Sequence, residues 1–225
     1  WEVDQNIEQP DYAKIAIDCF DAQINETLEK INETFEKYRL SDALMIVYKL
    51  IWDDFCSWYL EAIKPAYQMP IDKITYSKTI EFFDKLMKIL HPFMPFITEE
   101  IWHILNEKSC DQSIMIQQMP IAEKYNIELI RHYDTAKEII INIRAIRQEK
   151  NIPLKDALEL KMVNHESIFS DRFNDLICKL ANLSRIEIID SAVQNASGFR
   201  VDKLECFIPL EGRIDIEAER KKICD

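Results

Sequence analysis

Glycine is nearly missing from this chain: there are two in 225 residues, Gly198 and Gly212, both near the C-terminus. Tight β turns and phosphate-cradling loops both depend on glycine. The first 150 residues therefore read as helices joined by short connections, with no nucleotide cradle. A basic excess is missing too. The formal net charge is -12, which argues against a general nucleic-acid binder and leaves room only for one that uses a local basic stripe. The six cysteines, at 19, 56, 110, 178, 206 and 224, include no Cys-x-x-Cys pair, and the four histidines are equally scattered. A metal site has no support from that spacing, and isolated thiols in a reducing cytoplasm are expected. No apolar run is long enough to span a membrane, and no signal peptide opens the chain. No Ser-His-Asp set or paired-carboxylate site can be assembled, so no residue is assigned a catalytic role. The chain opens at Trp1 rather than at a methionine, as expected of a piece of a longer protein.

What is present is apolar periodicity, in a sequence that is 48% hydrophobic. Phe20, Ile24, Leu28, Ile31, Phe35 and Tyr38 alternate steps of four and three, which predicts a helix over 11–38. Ser41 is a candidate N-cap for a second helix to about Ile63, with Leu44, Tyr48, Ile51, Phe55, Trp58 or Tyr59, and Ala62 inward. A third helix over 76–90 turns Ile80, Phe83, Met87 and Leu90 inward. Pro92 and Pro95 then break the chain. Phe93, Met94 and Phe96 are expected to fill that corner, and a fourth helix comes next over 97–106. A loop over 107–125, with an extended piece at Ile114–Ile116, leads to a fifth helix over 126–150. Short links favour antiparallel neighbours. The fold class is therefore mostly α: an antiparallel helical bundle over 1–152, then a small α/β unit over 153–213. In that unit Leu158, Leu160 and Met162 alternate as a strand, 168–180 is helical, and 185–190 and 199–210 are strands with Gly198 available for a turn. Residues 214–225 read as the start of a further helical arm.

Two charge stripes interrupt the acidic background. On the first helix Gln23, Thr27, Lys30, Thr34 and Lys37 form a flank without acids, which could admit a phosphate backbone or could simply border the core. On the fifth, Lys137, Arg144 and Arg147 lie within about a quarter turn, suited to phosphate or to surface ion pairs. The aromatic run Trp52–Tyr59 could stack bases or pack inward.

The words at the corner, His91-Pro92-Phe93-Met94-Pro95-Phe96-Ile97-Thr98-Glu99-Glu100-Ile101-Trp102, resemble the anticodon-binding helical domain of class I aminoacyl-tRNA synthetases of the valine, isoleucine and leucine branch. Asp54-Phe55-Cys56-Ser57-Trp58-Tyr59, the run Ile143–Pro153 and the ending Ile208–Asp215 look like the valyl-tRNA synthetases in particular. The resemblance implies a tRNA-binding region that comes after a catalytic domain. Its partners are tRNA(Val) and that domain, with a monomer expected. It implies no cofactor in this chain, with ATP belonging to the parent enzyme, whose His-Ile-Gly-His-like and Lys-Met-Ser-Lys-Ser-like signatures do not occur here. It also places anticodon reading between the first bundle helix and the helix after the Pro-rich corner. The expected tRNA contacts are Gln23 and Lys30, the Arg39-Leu40 junction and His103, with Arg144 and Arg147 adding affinity. Relatives often carry lysine or arginine near Gln23, so one contact is weakened here. The rival readings are the isoleucine or leucine enzyme and a helical protein-interaction module, which the acidic balance favours.

Overall fold

The computed structural model describes residues 2–106, 112–163, 169–191, 193 and 196–209. They divide into two compact units between Ile130 and Arg131. The sequence pattern puts the boundary at 152, after the fifth helix; from Arg131 onward that helix groups instead with the α/β residues.

The first unit opens with strand β1 (Val3–Asp4), which pairs in parallel with β2 (Ile71–Asp72). Helix α1 (Asp11–Glu36) begins after Pro10 and buries a broad face that includes Ile15, Phe20, Ile24, Leu28 and Ile31. It ends as a Schellman turn. Tyr38 takes φ 56°, its N–H donates to Phe35 O, and the Arg39 N–H donates to Thr34 O, each at 2.9 Å. Helix α2 (Leu40–Lys49) begins there, capped by no side chain, so Ser41 is not the N-cap. Helix α2 passes into a π-helical segment, Leu50–Tyr59, and then into α3 (Leu60–Ile63). The wide turn is visible in Ser57, whose hydroxyl donates to Trp52 O five residues back, at 3.0 Å.

That segment changes which face is inward. Buried residues run Ala43, Val47, Leu50, then step five to Phe55, then Tyr59 and Ala62. Leu44 and Tyr48, expected inside, are exposed, and Tyr48 stacks on exposed Trp52. Phe55 and Tyr59 join Phe20 and Phe82 in an aromatic core, with Phe20 centred 4.8 Å from Tyr59 and 5.2 Å from Phe82. The buried Tyr59 hydroxyl is satisfied by Thr79 Oγ1 at 2.9 Å.

Helix α4 (Lys73–Leu90) is capped by Asp72, which accepts from Thr75 N. Its buried residues are Thr75, Thr79, Phe82, Leu86, Met87 and Ile89, one step round from the expected stripe except at Met87. After the proline corner, α5 (Pro95–Asn106) starts with proline at its first position, where no N–H is needed. Thr98 and Trp102 are buried, and the indole N–H donates to Asp84 Oδ1 at 2.7 Å. The corner is less filled than expected. Phe93 stacks on Phe35 at 6.0 Å, whereas Met94 is half exposed and Phe96 is 91% exposed. Ile114–Ile116 form a 3-10 turn rather than an extended piece, opened by Ser113 Oγ accepting from Met115 N.

The second unit contains most of α6 (Ile127–Glu149) and a four-stranded sheet of order β4-β3-β6-β5. Strand β3 (Leu158–Val163) lies between β4 (Leu183–Ile188), parallel to it, and β6 (Leu204–Pro209), antiparallel. Helix α7 (Asn174–Ala181) makes the crossover from β3 to β4. Strands β5 (Ala196–Val201) and β6 form a hairpin that turns at Asp202, φ 50°. Gly198 therefore does not make the turn. It sits within β5 opposite Phe207, where an added Cβ would lie 3.3 Å from the ring. The expected arm over 214–225 lies outside the described residues.

Candidate nucleic-acid interface

The Phe35–Phe93 stack ties the α1–α2 junction to the α4–α5 corner, so both lie at one end of the first unit. At the junction the left-handed turn throws three side chains outward. Tyr38 is 91% exposed and Leu40 59% exposed. Between them Arg39 extends into solvent, ion-paired to Asp42. Lys37 precedes them, 3.7 Å from Glu33. A cation between an exposed ring and an exposed aliphatic side chain can hold a phosphate and offer a surface to an unstacked base. Tyr38 is not among the contacts expected from the sequence. Its signal is positional: a helix end immediately before a new helix must turn sharply, and the turning residue faces out.

The other expected contacts separate. Lys30 is exposed and pairs with Glu26 at 2.8 Å, so the seemingly acid-free flank is reached by carboxylates one turn back. Gln23 is buried, 6% exposed, with Nε2 3.4 Å from Asp54 Oδ1. It packs against the π segment and is not a surface contact. His103 lies about 12 Å along α5 from Pro95, at 1.5 Å per residue, and binds Glu99 Oε1 at 3.0 Å. Glu99 also accepts from Ser113 Oγ and Ile114 N. Desolvation pushes that carboxyl up, but these hydrogen bonds and His103 outweigh it and hold it below its usual range. His103 thus helps pin the 113–116 turn to α5.

The α6 stripe is also committed. Arg147 is 3% exposed and donates to four carbonyls: Pro153, Asp156, Ala181 and Asn182, at 2.8–3.2 Å. Arg144 is exposed, with Nη2 on Leu180 O at 2.9 Å. Both guanidiniums meet the C-terminal end of α7, where the helix dipole is negative. Lys137 pairs with Asp134 and lies 4.8 Å from the Tyr133 ring centre. Arg147 is therefore an internal clamp rather than a tRNA contact, because buried carbonyls have claimed its fork.

Elsewhere in the first unit, a cavity of about 410 Å³ between α1, α4 and residues 123–129 is lined by charges of both signs. Lys85 pairs with Asp21 of α1 (3.6 Å), while Lys78–Glu81 (2.7 Å) and Lys85–Glu81 (3.7 Å) pair along α4. Among the described residues no cluster could hold a metal ion, and no helix is long and apolar enough to cross a membrane.

Residues 20–162 match the family described as the anticodon-binding domain of tRNA ligase. The chain is 43% identical over 223 residues to the valine–tRNA ligase of Christiangramia forsetii, 46% to that of Phocaeicola vulgatus and 44% to that of Parabacteroides distasonis. Each match covers 99% of this chain and 25% of the relative, so the chain spans about a quarter of the length of those relatives. With the family matched over most of the helical residues, this chain belongs to the anticodon-binding domains of tRNA ligases.

Proposed function

We propose that this chain is the anticodon-binding part of a valine–tRNA ligase and that its partner is tRNA(Val). The observation that carries the reading is near-complete coverage of this chain by relatives that are themselves valine–tRNA ligases. Contact begins at the α1–α2 junction, with Arg39 on phosphate and Leu40 and Tyr38 against bases, and Lys30 along the flank. The chain performs no chemistry alone. Its contribution is positional: binding energy spent far from the acceptor end orients the tRNA so that its terminus meets activated valine. ATP and valine belong to the catalytic part of the parent enzyme, in the cytoplasm.

The valine anticodon ends in A and C. Exchanging those two bases should weaken binding of the tRNA to this chain about thirtyfold or more, at about 1–3 kcal/mol per misread base. Equal affinity for both tRNAs would overturn the valine reading. No binding of either would overturn the reading that this chain holds tRNA by itself.

A further inference from the structure

Helix α5 buries one side and leaves the other bare. Opposite buried Thr98 and Trp102, Phe96 is 91% exposed, Ile97 47% and Ile104 72%. Glu100 stands between Phe96 and Ile104 at steps of four. That spacing is a face suited to pack on another helix, and its large apolar side chains keep about half or more of their surface in solvent, surface that a partner could bury. Charge narrows the occupant. Glu99 is taken up by His103, Ser113 and Ile114, which leaves Glu100 as the charge on this face, and helix α5 has no lysine or arginine; a phosphate backbone finds no cationic partner there, whereas a cation on an apolar partner suits Glu100. Size supplies the source. The chain spans only about a quarter of its relatives' length, so a polypeptide of their size has ample sequence to cover the face.

We propose that this face of α5 docks an amphipathic helix of the same polypeptide, drawn from outside these 225 residues. Its apolar side rests on Phe96, Ile97 and Ile104, and a lysine or arginine stands opposite Glu100. The inference rests on exposure, charge and relative length, not on where tRNA lies.

The test places Phe96→Cys and Ile104→Cys, separately, in the 225-residue chain and in the longer polypeptide. Maleimide labelling is read peptide by peptide in a mass spectrometer, so native cysteines do not interfere. Labelling at both positions should be about tenfold or more slower in the longer polypeptide, as burial requires. Adding Glu100→Lys should return part of that rate. Equal rates in both proteins would overturn the proposal. So would protection of the short chain that rises with its own concentration, which marks a second copy, or protection that needs added tRNA. Because both sites are exposed in the short chain, its unfolding curve should not change, which checks that the variants fold. The anticodon-exchange titration reads the tRNA proposal independently, so the two can fail separately.

Discussion

Helices α1 and α6 end alike and use their arginines oppositely. Each closes on a left-handed residue, Tyr38 at φ 56° and Asn151 at φ 53°, with the same pair of backbone hydrogen bonds behind it. Beside the first turn Arg39 reaches into solvent. Beside the second, Arg147 is buried on four carbonyls. The difference lies in the chain just beyond each helix. After α1 the backbone re-enters a helix at once and consumes its own carbonyls. After α6 it runs into the Pro153–Asp156 loop, near the carbonyl end of α7, where acceptors lack helical partners. A guanidinium goes where carbonyls are unmet, and only one that finds none stays available to a phosphate.

Arg147→Ala should give the largest effect. Losing charged hydrogen bonds and stranding buried carbonyls should cost about 3 kcal/mol or more, read by urea unfolding of the second unit. Arg147→Lys should recover only part, because a point charge cannot reach four acceptors as a planar fork does. Arg39→Ala should cost no more than about 0–1 kcal/mol. Comparable losses at the two sites would break the contrast. By the same logic, residues 154–213 expressed without α6 should lack a cooperative transition, since Arg144 and Arg147 are then missing.

Alkali should loosen both units through buried neutral groups. Burial pushes the Cys206 thiol in β6 from an ordinary 9.0 to about 12. Burial likewise pushes Tyr59 in the first unit from 10.0 to about 12, against the Thr79 hydrogen bond, which lowers it. The folded state holds each proton more tightly, so the stability they contribute is whole below the ordinary value and is lost as pH rises toward about 12. Loss should begin near pH 9 in the second unit and near pH 10 in the first. Cys206→Ala should flatten only the earlier decline in pH-dependent urea midpoints.

The smallest effect should come from the turns themselves. Tyrosine in the left-handed region is strained by about 1 kcal/mol, asparagine by less. Tyr38→Gly should raise the unfolding midpoint while lowering affinity for tRNA, and Asn151→Gly should change stability by only a few tenths of a kcal/mol. If Tyr38→Gly binds tRNA as tightly as the parent chain, the ring is not a contact.

Much of this is legible in the residues. Steps of four and three place α1 within two residues of its observed end, and two prolines locate the α4–α5 corner. Strand β3 shows itself by alternation. Where the sequence misleads, there is a physical reason in each case. A five-residue step lies outside 3.6-residue periodicity, so the π segment leaves no trace in the pattern and Leu44 and Tyr48 read as inward. Gln23 looks like a flank residue, but α1 buries more than one stripe. The carbonyls that claim Arg147 arrive partly from residues 181 and 182, more than thirty positions away in sequence. No helical wheel contains them. Arg39, beside carbonyls already used locally, has a solvent role that its immediate neighbours suffice to show.

The contrast is tested most directly by titrating valine tRNA against the parent chain and against Lys30→Glu with Arg39→Glu, each at two salt concentrations. Charge-assisted phosphate contacts contribute about 1.5–3 kcal/mol when well made and less when exposed. The double variant should therefore bind about tenfold more weakly, with a shallower salt dependence as fewer counterions are released and with an unchanged circular dichroism spectrum. An unchanged dissociation constant and salt slope, with the fold intact, would contradict the assignment and place the tRNA elsewhere on the chain.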